Sequence, residues 1–260
     1  MPSSTPAVQS LERGLALLLA FRQSAELSLA HLSQVLPIHR TSTYRLVRTL
    51  EARGFLVRDL ESGQYRLGPA LAELGGLALS RLEVRRVARP HLDRLAAETA
   101  ETVQLLIRDG LDVVVVDGIE SAQRVKVGAG IGERRPLHAT AAGKCFLAGL
   151  SPDGVRALYA DRRPAPLTSR TIVDVDTLLA EASRVGDTGF AVNDQESEPG
   201  VRFVAAPIIG PERSVIAALS LGAPAERLRL EDLAHIGRQL FASGLAISRS
   251  LGVDLTAGAV

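Results

Sequence analysis

The stretch SLAHLSQVLPIHRTSTYRLVRTLEARG, residues 28–54, predicts two short helices joined by a tight turn. Pro37 ends the first helix, because proline has no amide hydrogen and disfavours helical geometry in the residue before it. A second helix is expected to start between Arg40 and Ser42, where Thr41 or Ser42 can cap the free amides. The first helix has one buried side, indicated by apolar residues at helical spacing: Leu29, Leu32, Val35 and Leu36.

The second helix has two chemically different sides. Leu46, Val47 and Leu50 form its apolar stripe, and the opposite face is expected to carry hydroxyl and guanidinium groups. Such groups bind phosphates and base edges, and arginine can bind guanine through two hydrogen bonds. This pattern is typical of a helix-turn-helix with a recognition helix, although an ordinary helical hairpin with a solvated basic face is the alternative. The candidate DNA-contacting residues are Arg40, Thr41, Ser42, Thr43, Tyr44, Arg45 and Arg48.

A β-hairpin is predicted directly after this helix. Gly54 can end the helix in a left-handed conformation, and the runs FLVRD and QYRLG then alternate in polarity around the turn LESG. A hairpin in this position is typical of the wing of a winged helix-turn-helix. Arg58 and Arg66 lie where a wing could touch phosphate. The alternative is a hairpin that only closes the small core, and the two roles are compatible.

The charge of the chain is distributed unevenly. Residues 1–68 hold 8 Arg and no Lys against 5 acidic residues, whereas the whole chain has a net charge of only +1. A basic N-terminal part suits binding to duplex DNA. Aromatic residues make up only 3% of the chain, which argues against single-stranded nucleic acid as the target. The 46% hydrophobic content of the 260 residues is enough to build one large or two ordinary cores.

The chain contains one cysteine, Cys145, which excludes an internal disulfide framework and fits a reducing cytoplasm. The histidines show no metal-ligand spacing, so neither a metal nor a cofactor is expected. The apolar run LALLLAF at 15–21 is too short to span a bilayer and lacks the flanks of a signal peptide, so no membrane partner is expected. We expect this run to form the first helix from near Ser10, with an inward face of Leu11, Leu15, Leu18 and Leu19.

These patterns divide the chain into a loose start at 1–9, a winged domain at 10–68, a linker helix at 69–86, a second domain at 87–252 and a tail at 253–260. The linker helix has more leucines than its own domain is expected to bury, which favours a homodimer interface along this helix. The alternative is that the helix packs on the wing of the same chain. Its apolar side is predicted to consist of Leu71, Leu74, Leu77, Ala78 and Leu82.

The second domain mixes strands and helices without strict alternation, which predicts an α+β fold with an antiparallel sheet. Pro90 suits the first turn of its opening helix, and Thr140 can cap the helix AAGKCFLAGL. A flexible loop is expected at 128–136, further helices follow Ser151 and cover 174–187, and a long helix closes the domain at 229–251. Strands are predicted at 102–108, 113–119, 123–127, 190–193, 201–209 and 215–221.

Several blocks of this sequence together resemble the IclR family of bacterial transcription regulators: TSTYRLVRTLEARGFL, YRLG, ARPHLDRLAAETAETVQL, PLHATAAGKCFLA, TSRTI and the pair GVRFVAAPI and ALSL. The resemblance covers roughly residues 10–250. It implies a winged helix-turn-helix, a linker helix and a GAF-like effector-binding domain. It also implies a dimer or a dimer of dimers that binds a palindromic operator and responds to a small organic acid or related metabolite. Pro37 and His39 depart from the family pattern, which often has Gly and Pro at these positions.

The resemblance also implies an effector pocket at Ala141, Ala142, Asn193, Phe203, Ser220 and Gly222. Some members that bind small keto acids carry Asp, Cys and a second Ser where this chain has Asn193, Phe203 and Gly222, so a larger or more aromatic ligand is expected here. From the residues themselves, the free amides at 140–143 could attract a carboxylate. Ser220 and Asn193 could add hydrogen bonds, and an apolar wall could come from Val125, Val127 and Ile131.

Other motifs in the sequence give only weak evidence for a nucleotide site or an enzyme. GAGIG at 128–132 lacks the strand–turn–helix context of a dinucleotide site, and AAGKC lacks the leading Gly and the Ser or Thr of a phosphate loop. Cys145 could serve a GAF-type redox or metabolite-binding enzyme, but no second cysteine exists to resolve such chemistry. His138 could donate to a ligand, but a structural histidine held by hydrogen bonds is the favoured interpretation. A solvated loop is the favoured interpretation of Asp194, Glu196 and Glu198.

Overall fold

The computed structural model describes residues 8–254, so most of the predicted loose start and tail lies outside the described residues. The chain divides into two compact units, Met1–Arg81 and Leu82–Val260. Among the described residues, no helix is both long and apolar enough to cross a bilayer.

The first unit is a winged helix-turn-helix, as predicted. Ser28 caps its second helix by accepting a hydrogen bond from the amide of His31 at 3.1 Å, and Pro37 lies in the turn before the third. The expected cap at Thr41 or Ser42 is wrong, because the third helix already begins at Arg40 and has no side-chain cap. The elements are α1 (Gln9–Ala20), α2 (Leu29–Val35), α3 (Arg40–Ala52), β1 (Leu56–Arg58), β2 (Tyr65–Leu67) and α4 (Pro69–Ser80).

The inward face of α1 differs from the prediction. Leu17 is fully buried, whereas Leu11, Leu15 and Leu19 are 62%, 51% and 50% exposed. Leu18 is partly buried against the core. The run of leucines has apolar residues on every side of the helix, so its period does not identify the buried face. The core of this unit consists of Leu17, Phe21, Leu27, Leu32, Leu36, Val47, Leu56 and Tyr65.

Helix α4 corresponds to the linker helix predicted at 69–86, but it ends at Ser80. None of its described residues is buried. Leu74 and Leu77 are 53% and 49% exposed. Leu74 and Leu77 of the predicted apolar side are therefore uncovered within the first unit.

The second unit is an α+β domain, as predicted. Its six-stranded antiparallel sheet has the order β5-β4-β3-β8-β7-β6. Two helices pack on one face, where Gly244 lies against Ala206, and three cover the opposite face. The elements are α5 (Glu83–Thr99), β3 (Thr102–Asp109), β4 (Asp112–Ile119), β5 (Arg134–Pro136), α6 (Ala141–Ala148), α7 (Pro152–Leu158), α8 (Val175–Thr188), β6 (Ala191–Asp194), β7 (Val201–Ile209), β8 (Val215–Pro224) and α9 (Leu233–Ser250).

Three local predictions for this unit differ from the structure. Pro90 lies inside α5, which begins seven residues earlier at Glu83. No strand forms at 123–127, whereas the predicted loop at 128–136 contributes the edge strand β5. The end of the 123–127 segment bonds to side chains of β3 instead of to another strand's backbone, since Thr102 donates to the carbonyl of Val127 at 2.7 Å and Gln104 donates to that of Gly128 at 2.8 Å. The strand β5 instead pairs with β4.

Candidate DNA-binding face and effector pocket

The exposed face of α3 presents most of the predicted DNA-contacting side chains to solvent. Tyr44 is 44% exposed. Arg48 donates to Glu51 at 2.9 Å, one turn along the helix. The side chain of Arg45 forms no hydrogen bond or ion pair with any described residue. The exposed members of the predicted set on α3 are Arg40, Thr41, Ser42, Tyr44, Arg45 and Arg48.

The prediction that Thr43 lies on the exposed face is wrong. Thr43 is fully buried, as is Val47 one turn later. Its hydroxyl has no hydrogen-bond partner among the described residues. The sequence contained the signal, because Thr43 precedes Val47 by four positions and Leu50 by seven, and these spacings place all three on one side of a helix.

The wing places its two arginines differently. The guanidinium of Arg58 lies 5.9 Å from the ring centroid of the buried Tyr65, whereas Arg66 is exposed on the opposite strand. Asp59 orders the turn by accepting a hydrogen bond from the amide of Ser62 at 2.7 Å, and this bond holds the pKa of Asp59 below its ordinary value. The wing is therefore a short hairpin with an ordered turn.

The predicted effector residues of the sheet lie on one face. Asn193 is opposite Phe203 in the β6–β7 register, Phe203 is opposite Gly222 in β7–β8, and Gly222 is opposite Thr102 in β8–β3. Ser220 belongs to the next row of the same face, two residues from Gly222. The antiparallel register therefore brings together residues from four strands.

Helix α6 covers this face and brings Ala141 and Ala142 to it, both buried. The amide of Gly143 is already occupied, because it donates to the Thr140 hydroxyl at 3.0 Å. The backbone of Leu137 also packs closely here, since a Cβ atom at Gly143 would lie 2.5 Å from its carbonyl carbon. The amides of Ala141 and Ala142 remain at the first turn, where the helix dipole favours an anion.

The side-chain amide of Asn193 forms hydrogen bonds with neighbouring groups of the protein. Its Nδ2 donates to the carbonyl of Ala139 at 2.9 Å and to Ser197 Oγ at 2.8 Å, and its Oδ1 accepts from the amide of Glu196 at 2.7 Å. The Ser220 hydroxyl donates to a carbonyl of the neighbouring strand at 3.2 Å. Asn193 therefore fixes the loop after β6 against the start of α6.

An aromatic ring and an arginine occupy the middle of this face. Phe203 is buried and packs on Gly222, where an added Cβ atom would lie 2.5 Å from Cδ1 of the ring. The guanidinium of Arg135 lies 5.1 Å from the centroid of this ring and donates to Glu133 at 2.7 Å. Arg135 is a candidate functional residue that sequence reasoning missed, because the segment containing it reads as a flexible loop.

The apolar wall is smaller than predicted. Val127 is buried, but Val125 and Ile131 are 68% and 55% exposed, so the prediction for these two residues is wrong. The hydrogen bonds from Thr102 and Gln104 bind the centre of the segment and leave its ends in solvent.

A buried ion pair lies beside the site. Lys144 donates through Nζ to Glu196 Oε1 at 2.6 Å and to the carbonyl of Val192 at 2.8 Å. Glu196 is 7% exposed, so the solvated-loop interpretation is wrong for this residue. Burial raises the pKa of the Glu196 carboxyl, although the neighbouring Lys144 opposes this effect. The amine of Lys144 thus joins α6 to the loop after β6.

Cys145 and His138 are both buried, and each side chain contacts a backbone carbonyl. Cys145 is fully buried, its thiol donates to the carbonyl of Ala205 at 3.4 Å, and burial raises its pKa to about 12. His138 is buried, with Nε2 lying 2.9 Å from the carbonyl oxygen of Ala165. Between residues 8 and 254, no group of three or more potential ligand side chains could hold a metal ion.

Comparisons with known proteins agree with this architecture. Residues 10–60 match the IclR helix-turn-helix domain, and residues 76–249 match the C-terminal domain of the bacterial transcriptional regulator IclR. The chain is 34% identical over 248 residues to the HTH-type transcriptional regulator XynR of Escherichia coli, covering 95% of this chain and 98% of XynR.

Solved structures show the same fold. The IclR transcriptional regulator of Alicyclobacillus acidocaldarius has a TM-score of 0.83 and 26% identity, and the match covers 95% of this chain and 100% of that one. An IclR homologue from Microbacterium hydrocarbonoxydans, complexed with 4-hydroxybenzoate, has a TM-score of 0.81 and 24% identity over 94% of this chain and 100% of that one. The chain therefore belongs to the IclR family: it is a helix-turn-helix transcription regulator, not an enzyme, with an effector-binding C-terminal domain.

Proposed function

We propose that this regulator binds a palindromic operator as a homodimer or as a dimer of dimers, and that a small aromatic or carboxylate effector changes its operator affinity. An effector can act in this way only if it binds one dimer geometry better than another. The observation that carries the proposal is the exposed face of α3, which presents arginines and hydroxyls to solvent, with only Arg48 among its arginines bound to a described acidic residue.

On the DNA side, α3 is the reading element and the wing is an auxiliary contact. Arg45 and Tyr44 project from the middle of the exposed face. Arg58 and Arg66 of the wing reach phosphate, which fixes the register of the protein on the duplex without carrying sequence information.

Self-association is supported by the uncovered apolar surface of the first unit. Leu74 and Leu77 of α4 are about half exposed, and Leu11, Leu15 and Leu19 of α1 repeat every four residues on one exposed side. A symmetric pair of chains would remove such surface from water. Two copies of α3 would then face successive major grooves.

The effector is proposed to bind on the Phe203 face beneath α6. Phe203 and Gly222 offer an apolar surface, and the first amides of α6 offer hydrogen-bond donors at the positive end of the helix dipole. This combination suits an aromatic carboxylate. The Microbacterium fold neighbour holds a ligand of that class, 4-hydroxybenzoate.

Footprinting on operators selected from genomic DNA tests the proposal. We expect a palindrome whose half-sites lie about 34 Å apart, or a multiple of that distance, along one face of the duplex. A thermal-shift series with benzoate and 4-hydroxybenzoate against pyruvate and glyoxylate tests the ligand class, because a true effector raises the melting temperature by mass action. A single half-site in the footprint would contradict symmetric binding, and a shift with the keto acids alone would contradict the aromatic ligand.

A further inference from the structure

A cleft in the first unit lies between the start of α1 and the recognition helix α3. Its volume is about 270 Å³, and its polar lining comes from Ser10 and Arg13 of α1 and from Ser42, Arg45 and Thr49 of α3. Three of these five residues belong to the recognition helix, but Ser10 and Arg13 have no place in the DNA-binding surface described above.

The charge of this cleft is uncompensated. Neither the Arg13 nor the Arg45 guanidinium forms an ion pair or a hydrogen bond with a described residue. Among the described residues that line the cleft, none is acidic. Two neighbouring cations without a carboxylate repel each other, so a bound anion would stabilise the cleft.

The hydroxyls of the cleft fit the same ligand. Ser42 is exposed at the start of α3, and Ser10 is exposed at the start of α1. Both can donate hydrogen bonds to an anion. The hydroxyl of Thr49 is not available as a donor, because it already donates to the backbone carbonyl of Arg45 at 2.9 Å. The available polar groups are therefore donors, as a phosphate requires.

We propose that this cleft binds one phosphate of the DNA backbone beside the major groove that α3 enters, with Arg13 as its principal contact. The inference rests on the proposed role of α3. Base edges at the floor of the groove are within reach of α3 itself, whereas a side chain from the flanking helix α1 meets the wall of the groove, which is phosphate. Arg13 thus extends the DNA interface to a helix that the motif does not assign to it.

The substitution Arg13→Gln tests this assignment without removing the bulk of the side chain. The affinity of the full-length chain for an operator duplex and for a random duplex is to be measured by fluorescence anisotropy between 50 and 300 mM KCl. Because a phosphate contact is independent of sequence, the variant should lose about tenfold in affinity for both duplexes. The slope of log K against log salt should become shallower by about 0.9, the value for one phosphate.

Arg22→Gln is the matched control, since Arg22 is exposed just beyond the other end of α1 and does not line the cleft. It should keep the wild-type affinity and slope. Arg13→Lys should retain part of the affinity and most of the slope, because the charge remains. A melting temperature equal to that of the wild type shows that Arg13→Gln folds normally.

Three results would overturn the assignment. The first is an unchanged affinity and salt slope in Arg13→Gln, measured where Arg45→Ala does weaken operator binding. This result would support DNA recognition by α3 and reject only phosphate binding in the cleft. The second is a loss confined to the operator duplex, which indicates a base contact. The third is a thermal shift of the wild type by inorganic phosphate that Arg13→Gln abolishes without any change in DNA affinity, which identifies a site for free anions instead.

Discussion

The ammonium of Lys144 and Oε1 of Glu196 lie 2.6 Å apart, although the two residues are 52 positions apart in the sequence. Both side chains are buried. The pair joins the helix that covers the predicted effector face to the loop after Asn193, whose side chain bonds this loop and the turn before the helix. It is therefore a positioning contact for the site, since it fixes where the start of α6 lies against the sheet.

Removal of the cation alone should destabilise the effector domain. Lys144→Met leaves Glu196 buried without its partner, and breaking a buried ion pair from one side costs about 3–5 kcal/mol. Lys144→Met combined with Glu196→Leu should recover most of this loss, because no unpaired charge remains. Urea unfolding of the two variants and the wild type measures both effects. A single variant within about 1 kcal/mol of the wild type would show that the pair does not hold the domain together.

The same substitution should have a pH dependence of known sign. Burial raises the pKa of Glu196 and Lys144 opposes this effect, so loss of Lys144 raises that pKa further. A carboxyl whose pKa is higher in the folded state contributes stability below its unfolded pKa, and this contribution is lost as the pH rises through the folded pKa. The destabilisation by Lys144→Met should therefore be larger at pH 8 than at pH 5. An equal loss at both values would argue against an ionisable Glu196 as its cause.

Cys145 should be inert in the folded protein. Burial raises the pKa of its thiol to about 12, and only the thiolate attacks an alkylating reagent. Iodoacetamide at pH 8 should label Cys145 slowly in buffer and completely in 8 M urea, as measured by intact mass. Rapid labelling of the native chain would show an accessible and reactive thiol, and would contradict this prediction.

The pair Phe203 and Gly222 should decide the size of the effector. Gly222→Ser alone should destabilise the domain by about 1–3 kcal/mol, because its side chain would overlap the Phe203 ring. Adding Phe203→Cys removes the overlap and provides the polar surface implied for binders of small keto acids. We expect this double variant to lose its thermal shift with benzoate and gain one with pyruvate. An unchanged ligand preference would place the pocket elsewhere.

The exposed leucines of α4 should hold two chains together. Leu74→Asp with Leu77→Asp places charges in the proposed seam and should shift the mass measured by sedimentation velocity toward the monomer. Leu60→Asp is a suitable control, because Leu60 is 94% exposed and isolated at the tip of the wing. A dimer that survives the α4 substitutions would exclude this seam.

Local patterns were sufficient for much of the fold. The alternation, capping and turn residues predict the helix-turn-helix, the wing, the paired strands β3 and β4, and the cap at Thr140, because each depends on neighbours in the sequence. The buried side of α1 could not be predicted, since leucines surround that helix. Thr43 could have been, because its spacing to Val47 and Leu50 follows the helical period.

The chemistry of the site depends on contacts between distant segments. The position of Arg135 over Phe203 requires β5, which pairs with β4, a strand about 20 residues earlier in the chain. The burial of Glu196 requires Lys144 on another element. No local pattern marks such pairs, so residue composition alone indicates a flexible loop around Arg135 and a solvated loop around Glu196.

The affinity of the wild type and of Arg45→Ala for an operator duplex and for a random duplex tests the central claim most directly. If the exposed face of α3 reads bases, Arg45→Ala should weaken operator binding by about 1–3 kcal/mol and weaken binding to the random duplex by clearly less, since only the loss of charge beside the phosphate cleft affects both duplexes. Operator affinity equal to that of the wild type would contradict the assignment of α3 as the recognition helix.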